Sequence, residues 1–379
     1  MGSAGLDRAV DLVRARGVSA QLCVLRDGQP ILDEAMGCPP DALFLIFSTS
    51  KPFVALLVHL LAERGQLSLD DRVAGYWPGF GAHGKDRITI RQILQHRSGL
   101  TVARNLISDA LAATDWDEAV RRIEQARPKF PPGAVPAYHV LSYGFILGEI
   151  VRRVSGVPVR DFLASQFLSP LGLQDTHLGL PPGSWARHIP VRGRGPGARL
   201  SAAFFNRPGT RQAVIPAAGV SSTARDLARF YQVLLCGGVA GQQEGGRRIL
   251  SPPTLEEARQ PSSDGAVDQY LQLPVRWSQG FQLGGSSLPG PGRQARGTQA
   301  PGTQAPGAQA QRRRGTPESP LGRLASPLTF GHNGSNCCLA WADPQRRLVF
   351  AYLTDLLSPG QEGARHQAEV SDAVIAACS

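Results

Sequence analysis

The sequence predicts an α/β fold of the α+β kind: an antiparallel sheet of N- and C-terminal strands, flanked by helices, with a mostly helical segment inserted between them. Three observations carry this. Residues 18–37 (VSAQLCVLRDGQPILDEAMG) alternate around Asp27-Gly28, the turn chemistry of a β-hairpin. Strand character returns only late, in 275–285 (VRWSQGFQLGG), 329–344 and 346–357. Between them, roughly 76–214, helical spacing dominates with turn-rich connections. Residues 1–75 and 215–379 then form the sheet region of one domain, and 76–214 an inserted helical region of the same domain.

In chain order, residues 6–16 have helical spacing, followed by the hairpin. A helix is expected from Ser48 to about Arg64, closed by Gly65. The clearest helix is 142–156 (SYGFILGEIVRRVSG), which ends at Gly156. Another spans 222–238, with Thr223 or Ser222 as N-cap and Gly237 as stop. After the late strands, 363–378 reads as a terminal helix.

A chain of 379 residues, 42% hydrophobic and 18% charged, has the balance of a folded protein with one large domain or two ordinary ones. The net charge of +10 is unevenly placed. Between Gly285 and Pro327, Arg293, Arg296, Arg312, Arg313, Arg314 and Arg323 stand against one acid, Glu318, and this stretch contains the near-repeat GTQAPGTQAPGAQAQ. Such composition cannot bury a core, so 286–317 is expected to be a flexible low-complexity insertion. No basic, aromatic-interleaved module accompanies it, which argues against nucleic acid as a partner. The first ten residues lack an apolar export segment, and the longest apolar runs, either side of Lys51-Pro52, are too short to span a bilayer. Cys23, Cys38, Cys236, Cys337, Cys338 and Cys378 show neither metal-type spacing nor a disulfide framework. A reducing, cytoplasmic setting follows. The histidines show no ligand spacing, so neither a metal nor another cofactor is implied.

The stretch FSTSKPF, residues 47–53, places a lysine inside an apolar segment. Residues three apart on a helix share a face, so Ser48 and Lys51 should meet. A serine at a helix start gains from the positive end of the dipole, and its N–H is free to face an oxyanion. Desolvation pushes a buried lysine toward its neutral form, and a neutral amine can take a hydroxyl proton. Pro52 sits in the first turn, where its missing N–H costs little. Ser50 and Ser98 have no lysine three residues on and are poor nucleophile candidates.

Longer stretches widen the pattern. The segment DALFLIFSTSKPFVALLVHLLAERGQLSLDDRVAGYWPGF, with ITIRQILQHRSGL, PPGAVPAYHVLSYGFILGEIVRRVSG, PLGLQDTHLGLP, IPAAGVSSTARDLARFYQVLL and FGHNGSNCCLAWADPQRRLVFAYL, resembles the serine hydrolase superfamily of penicillin-binding proteins, class C β-lactamases and related esterases. The resemblance covers most of 18–357 and implies a β-lactamase/transpeptidase-like fold. It also assigns roles. Ser48 corresponds to the acylated nucleophile, Lys51 to its lysine, and Tyr138 to a proton-relaying tyrosine whose phenolate the lysine would favour. His332-Asn333-Gly334 occupies the place of the substrate-lining Lys-Thr-Gly strand motif. The backbone N–H groups of Ser48 and Ser335 would form the oxyanion hole. His96 falls in a turn with a structural role.

Two positions depart from that pattern. Val140 stands where the tyrosine motif keeps an asparagine, and His332 where penicillin-recognising members keep a lysine. Both changes remove contacts that β-lactams and peptidyl substrates need. The resemblance therefore points to a serine hydrolase that cleaves small carboxylic esters or related acyl compounds. The alternative is an acyltransferase of the same fold, with an alcohol, thiol or amine acceptor in place of water. A β-lactamase or D,D-peptidase, and a non-catalytic binding protein, rank lower. No G-x-S-x-G elbow occurs, which disfavours an α/β-hydrolase.

Overall fold

The structure, a computed structural model, describes residues 4–240, 247–263, 265–285, 319–358 and 360–379. The expected insertion at 286–317 lies outside the described residues. Helix α1 (Ala4–Arg14) leads into a hairpin of β1 (Ala20–Arg26) and β2 (Gln29–Met36). Asp27 and Gly28 both take positive φ, 54° and 76°, the two-residue turn whose twist matches its strands. The sheet is completed by β3 (Gln282–Leu283), β4 (Phe330–Gly334), β5 (Cys338–Asp343) and β6 (Leu348–Thr354). Its order is β2-β1-β6-β5-β4-β3, and every neighbouring pair is antiparallel. Ala20 lies opposite Thr354 and Arg26 opposite Leu348, so the first and last thirds of the chain close one sheet.

Both faces of the sheet are covered, which is why β5 and β6 read as apolar runs without polar alternation. One face sends Leu339, Trp341, Phe350 and Tyr352 into a core shared with Val10 and Val13 of α1 and Val370 and Val374 of the terminal helix α5 (Gln361–Ala377). The other presents Cys338, Ala340, Ala342, Val349, Ala351 and Leu353. Its small side chains let α4 (Ala224–Leu235) lie close against β1, β5 and β6. Behind α4 runs α2 (Lys51–Glu63), in which every residue from Lys51 to Leu61 is buried. A helix buried all round cannot be amphipathic. Its second neighbour is α3 (Ser142–Ser155), the central helix of residues 76–214, closed by Gly156 at φ 73°. Among the described residues no helix is long and apolar enough to cross a membrane.

Three local expectations change. The α-helix expected from Ser48 starts at Lys51, because Phe47–Ser50 is a tighter 3-10 turn entered through Phe47 at φ 47°. Residues 275–285 are not one strand: only Gln282–Leu283 joins β4, and Gly280 at φ 130° breaks the run. The cap of α4 is Thr223, whose hydroxyl accepts from Asp226 N–H, while the Ser222 hydroxyl meets Thr176 at 2.8 Å.

The seating of α3 depends on one glycine. A Cβ on Gly144 would stand 2.2 Å from Ala217 N, inside any real contact distance. Gly144→Ala must therefore push α3 away from the segment before residue 220. Denaturant unfolding should show a loss of about 1–3 kcal/mol, the usual cost of overpacking. Unchanged stability would mean that this close approach is not part of the fold in solution.

Candidate active site

The turn Phe47–Ser50 is held from both sides. Ile46 N–H donates to Val220 O at 2.9 Å, and Val220 N–H donates to Ser50 Oγ at 3.2 Å. On the other side Thr49 Oγ1 donates to His332 O at 3.2 Å. A Cβ on Gly334 would lie 2.2 Å from Ile46 O and 2.8 Å from Thr49 Oγ1, so only glycine lets β4 approach this turn. Phe47, a bulky residue at positive φ, is strained, and its ring is seated edge-on against Phe205 at 4.9 Å.

The helical turn that follows brings Lys51 Nζ to 3.1 Å from Ser48 Oγ. Nζ also donates to Val140 O at 2.9 Å and to Ala217 O at 3.3 Å. Lys51 is fully buried, and burial drives its pKa well below the ordinary 10.5. The contacts fit the neutral amine. Its two N–H bonds serve the two carbonyls, and its lone pair faces the Ser48 hydroxyl. Tyr138 O–H donates to Ser48 Oγ at 2.7 Å from the opposite side. Lys51 Nζ lies 4.6 Å from the centre of the Tyr138 ring.

Tyr138 differs from expectation in its charge. Burial raises its pKa, with Asp268 and Tyr270 adding to the effect, so the group is a phenol at neutral pH rather than a phenolate favoured by the lysine. With Lys51 pushed toward its neutral form by burial, Ser48, Lys51 and Tyr138 form a hydrogen-bonded chain that can end at an amine lone pair. Such a chain can move the serine proton onto nitrogen while Oγ attacks an electrophilic carbon.

The other expected positions divide. Val140 contributes its carbonyl to Lys51, and its half-buried side chain supplies no hydrogen bond. His332 is buried, with Nδ1 2.8 Å from Asn333 O and its ring 6.3 Å from that of Tyr138. Desolvation lowers its pKa to about 3, so it is neutral and is no cation. Asn333 lies outside the group. Its Nδ2 donates to Asn336 Oδ1 at 2.8 Å and Gln367 Oε1 at 2.6 Å, which commits the side chain to the turn and α5 rather than to a substrate. Alternation along β4 explains this, since His332 and Gly334 point one way and Asn333 the other. Ser335 and Asn336 sit at φ 50° and 55° in the turn after Gly334, where Cys337 N–H donates to Gly334 O at 3.0 Å. Ser98 is buried, with Oγ 2.9 Å from His139 Nε2, and offers no accessible nucleophile.

Sequence reading missed three contributors and gave a fourth, His96, only a structural role. Ala217 acts only through its carbonyl, which no residue type signals. Trp277 stacks on Tyr138 with ring centroids 5.4 Å apart and planes 13° from parallel. His96 packs against Tyr138, Tyr143 and Trp277 at 4.6–4.8 Å. Asp268 accepts from both Tyr138 N–H and Trp277 Nε1–H, at 3.1 and 2.9 Å. The one available hint for Asp268 is that it is the only acid between Gly265 and Pro274.

Comparison with known proteins places this arrangement. The sequence matches the family described as Beta-lactamase over residues 6–375. It is 28% identical over 378 residues to the "Esterase/beta-lactamase LipL" of Mycobacterium tuberculosis, covering 89% of this chain and 77% of that protein. A penicillin-binding protein homologue from Caulobacter crescentus superimposes with a TM-score of 0.75 at 26% identity, covering 99% of this chain and 97% of that one. A family VIII carboxylesterase has the same fold, with a TM-score of 0.76 at 24% identity and 98% coverage of both chains.

A neutral Lys51 has a kinetic signature. The rate at which an uncharged fluorophosphonate modifies Ser48 should reach its plateau well below the pH at which an ordinary lysine titrates, because burial lowers the Lys51 pKa. It should fall on the acid side, toward tenfold per pH unit, as the amine is protonated. A rate that levels only above about pH 10 would mean an ordinary lysine.

Proposed function

This chain belongs to the beta-lactamase family, and from that premise we propose that it is a serine hydrolase that cleaves small carboxylic esters through an acyl-enzyme on Ser48. The observation that carries the reading is the position of Ser48 Oγ, 3.1 Å from the Lys51 amine and 2.7 Å from the Tyr138 hydroxyl. In the first half-reaction Ser48 Oγ attacks the ester carbonyl while its proton passes to Lys51 Nζ. The negative oxygen of the tetrahedral intermediate takes the backbone N–H groups of Ser48 and Ser335 as donors. Collapse expels the alkoxide, which takes the Tyr138 proton and leaves as an alcohol. The tyrosinate then faces the Lys51 ammonium, 4.6 Å from its ring centre. In the second half-reaction water gives a proton to the tyrosinate and attacks the acyl carbon. As the acid departs, the ammonium returns its proton to Ser48, and the starting state is restored.

Two features support esters over β-lactams. Where an amide side chain would grip an acylamino group, Val140 offers methyl groups. Where a cation would meet a carboxylate, His332 is buried and uncharged. An unpaired buried amide costs roughly 1–3 kcal/mol, and a lost charge-assisted contact a comparable amount. Small esters carry neither group. Replacement of water by an alcohol or amine acceptor in the second half-reaction would need no other change in the residues used.

Two experiments test this. Ser48→Ala should abolish p-nitrophenyl ester hydrolysis with the fold intact, and Lys51→Ala should cost on the order of a thousandfold or more. Near-parental activity in Ser48→Ala would remove the assignment. On one preparation, kcat/KM for nitrocefin should fall about two to four powers of ten below that for p-nitrophenyl acetate or butyrate. Nitrocefin turnover matching or exceeding the esters would restore a β-lactamase.

A further inference from the structure

Asp268 is fully buried, at the end of a short strand in the hairpin of Val267–Asp268 and Leu273–Pro274. Both carboxylate oxygens are occupied by N–H donors. Oδ1 accepts from the backbone N–H of Tyr138 at 3.1 Å, Tyr270 at 2.9 Å and Leu271 at 2.9 Å. Oδ2 accepts from Trp277 Nε1–H at 2.9 Å. The Trp277 backbone is tied separately, its N–H to Ser263 Oγ at 2.9 Å and its carbonyl to Ser262 N–H at 2.7 Å. With main chain and indole both fixed, the Trp277 ring is set nearly parallel to that of Tyr138, while His96 packs against Tyr138 at 4.8 Å.

A tyrosine has two side-chain torsions, and its hydroxyl is far from its backbone. Keeping that hydroxyl 2.7 Å from Ser48 Oγ requires control of both the main chain and the ring plane. One carboxylate reaches both, the main chain directly and the ring plane through the indole. Within the esterase reading, on which this rests, we propose that Asp268 is a positioning residue for Tyr138, fixing its backbone directly and its ring through Trp277. Asp268 reaches Tyr138 through its backbone N–H and the Trp277 indole, not through the hydroxyl. Proton-transfer geometry is steep, and a displacement of about 1 Å can cost on the order of a hundredfold.

The bland alternative is that Asp268 merely closes the 267–274 turn through Tyr270 and Leu271. A double-mutant cycle separates the two. The readout is kcat/KM for hydrolysis of an alkyl ester, whose poor leaving group needs the Tyr138 proton, with melting temperature measured alongside. Asp268→Asn should lower it about 10- to 100-fold, and Trp277→Phe, which keeps a ring but loses the tether, about 3- to 10-fold. In a Tyr138→Phe background, where no proton remains to be positioned, each should cost less than about threefold, while the shift in melting temperature stays the same in both backgrounds. Equal fold-losses in both backgrounds, or Asp268→Asn at the parental rate, would overturn the proposal and leave the esterase reading standing. Tyr138→Phe hydrolysing the alkyl ester at the parental rate would instead remove the proton-transfer role of Tyr138 and this proposal with it. Should Asp268→Asn fail to fold, the Trp277→Phe cycle decides between the same outcomes.

Discussion

A lysine amine buried without a carboxylate is the constraint around which this molecule is arranged. Charged, Lys51 would have no counter-ion among the described residues, at a cost of several kcal/mol. Burial favours the neutral amine, whose two N–H bonds can serve the two carbonyls and leave a lone pair for the Ser48 hydroxyl. The acceptors come from distant parts of the chain. Val140 precedes α3, Ala217 precedes the short strand Val220–Ser222, and Ser48 precedes α2. Displacing any of these segments would leave a buried amine hydrogen or carbonyl unpaired. The packing that joins the sheet, α2 and α3 is therefore also what sets the chemistry of the nucleophile.

Close approaches at glycine make that convergence possible. Gly144 admits the backbone at Ala217 against α3, and Gly334 admits the Ser48 turn against β4. Between these contacts the strained Phe47 sits where a strand becomes a helix, and it aims the following side chain out of the core. Backbone strain of this kind survives only where surrounding packing over-determines it. Here that packing comes from the Phe205 ring and from hydrogen bonds to Val220 and His332.

Much of the fold was legible because its signals are local. The Asp27-Gly28 turn and the glycine stops after Glu63 and Ser155 follow from backbone preferences that act over a few residues. Ser48 and Lys51 were readable for the same reason, being one helical turn apart. Tyr138 was singled out only by resemblance, since nothing in its own sequence neighbourhood points toward Ser48. Asp268, Trp277 and the carbonyl of Ala217 stayed hidden because their roles depend on tertiary approach of segments far apart in sequence. Asn333 was misplaced for a simpler reason. A three-residue strand motif alternates its side chains, so its middle member faces α5 while its neighbours face the nucleophile. The 275–285 segment misled because Trp277 has a strand-forming side chain that is used here as a wall for Tyr138.

Almost every charge has been removed from the centre of the site. Lys51, Tyr138, His139 and His332 are all pushed by burial toward their neutral forms, and His96 likewise. A site of this kind favours uncharged substrates and develops charge only as the reaction proceeds, where fixed donors are most effective. The central claim is the neutrality of Lys51, and direct titration tests it. With lysine labelled at Cε, the carbon resonance of Lys51, assigned by its loss in Lys51→Arg, should titrate with a midpoint well below the ordinary 10.5. A midpoint at or above that value would show a charged amine at neutral pH and contradict the mechanism at its first step.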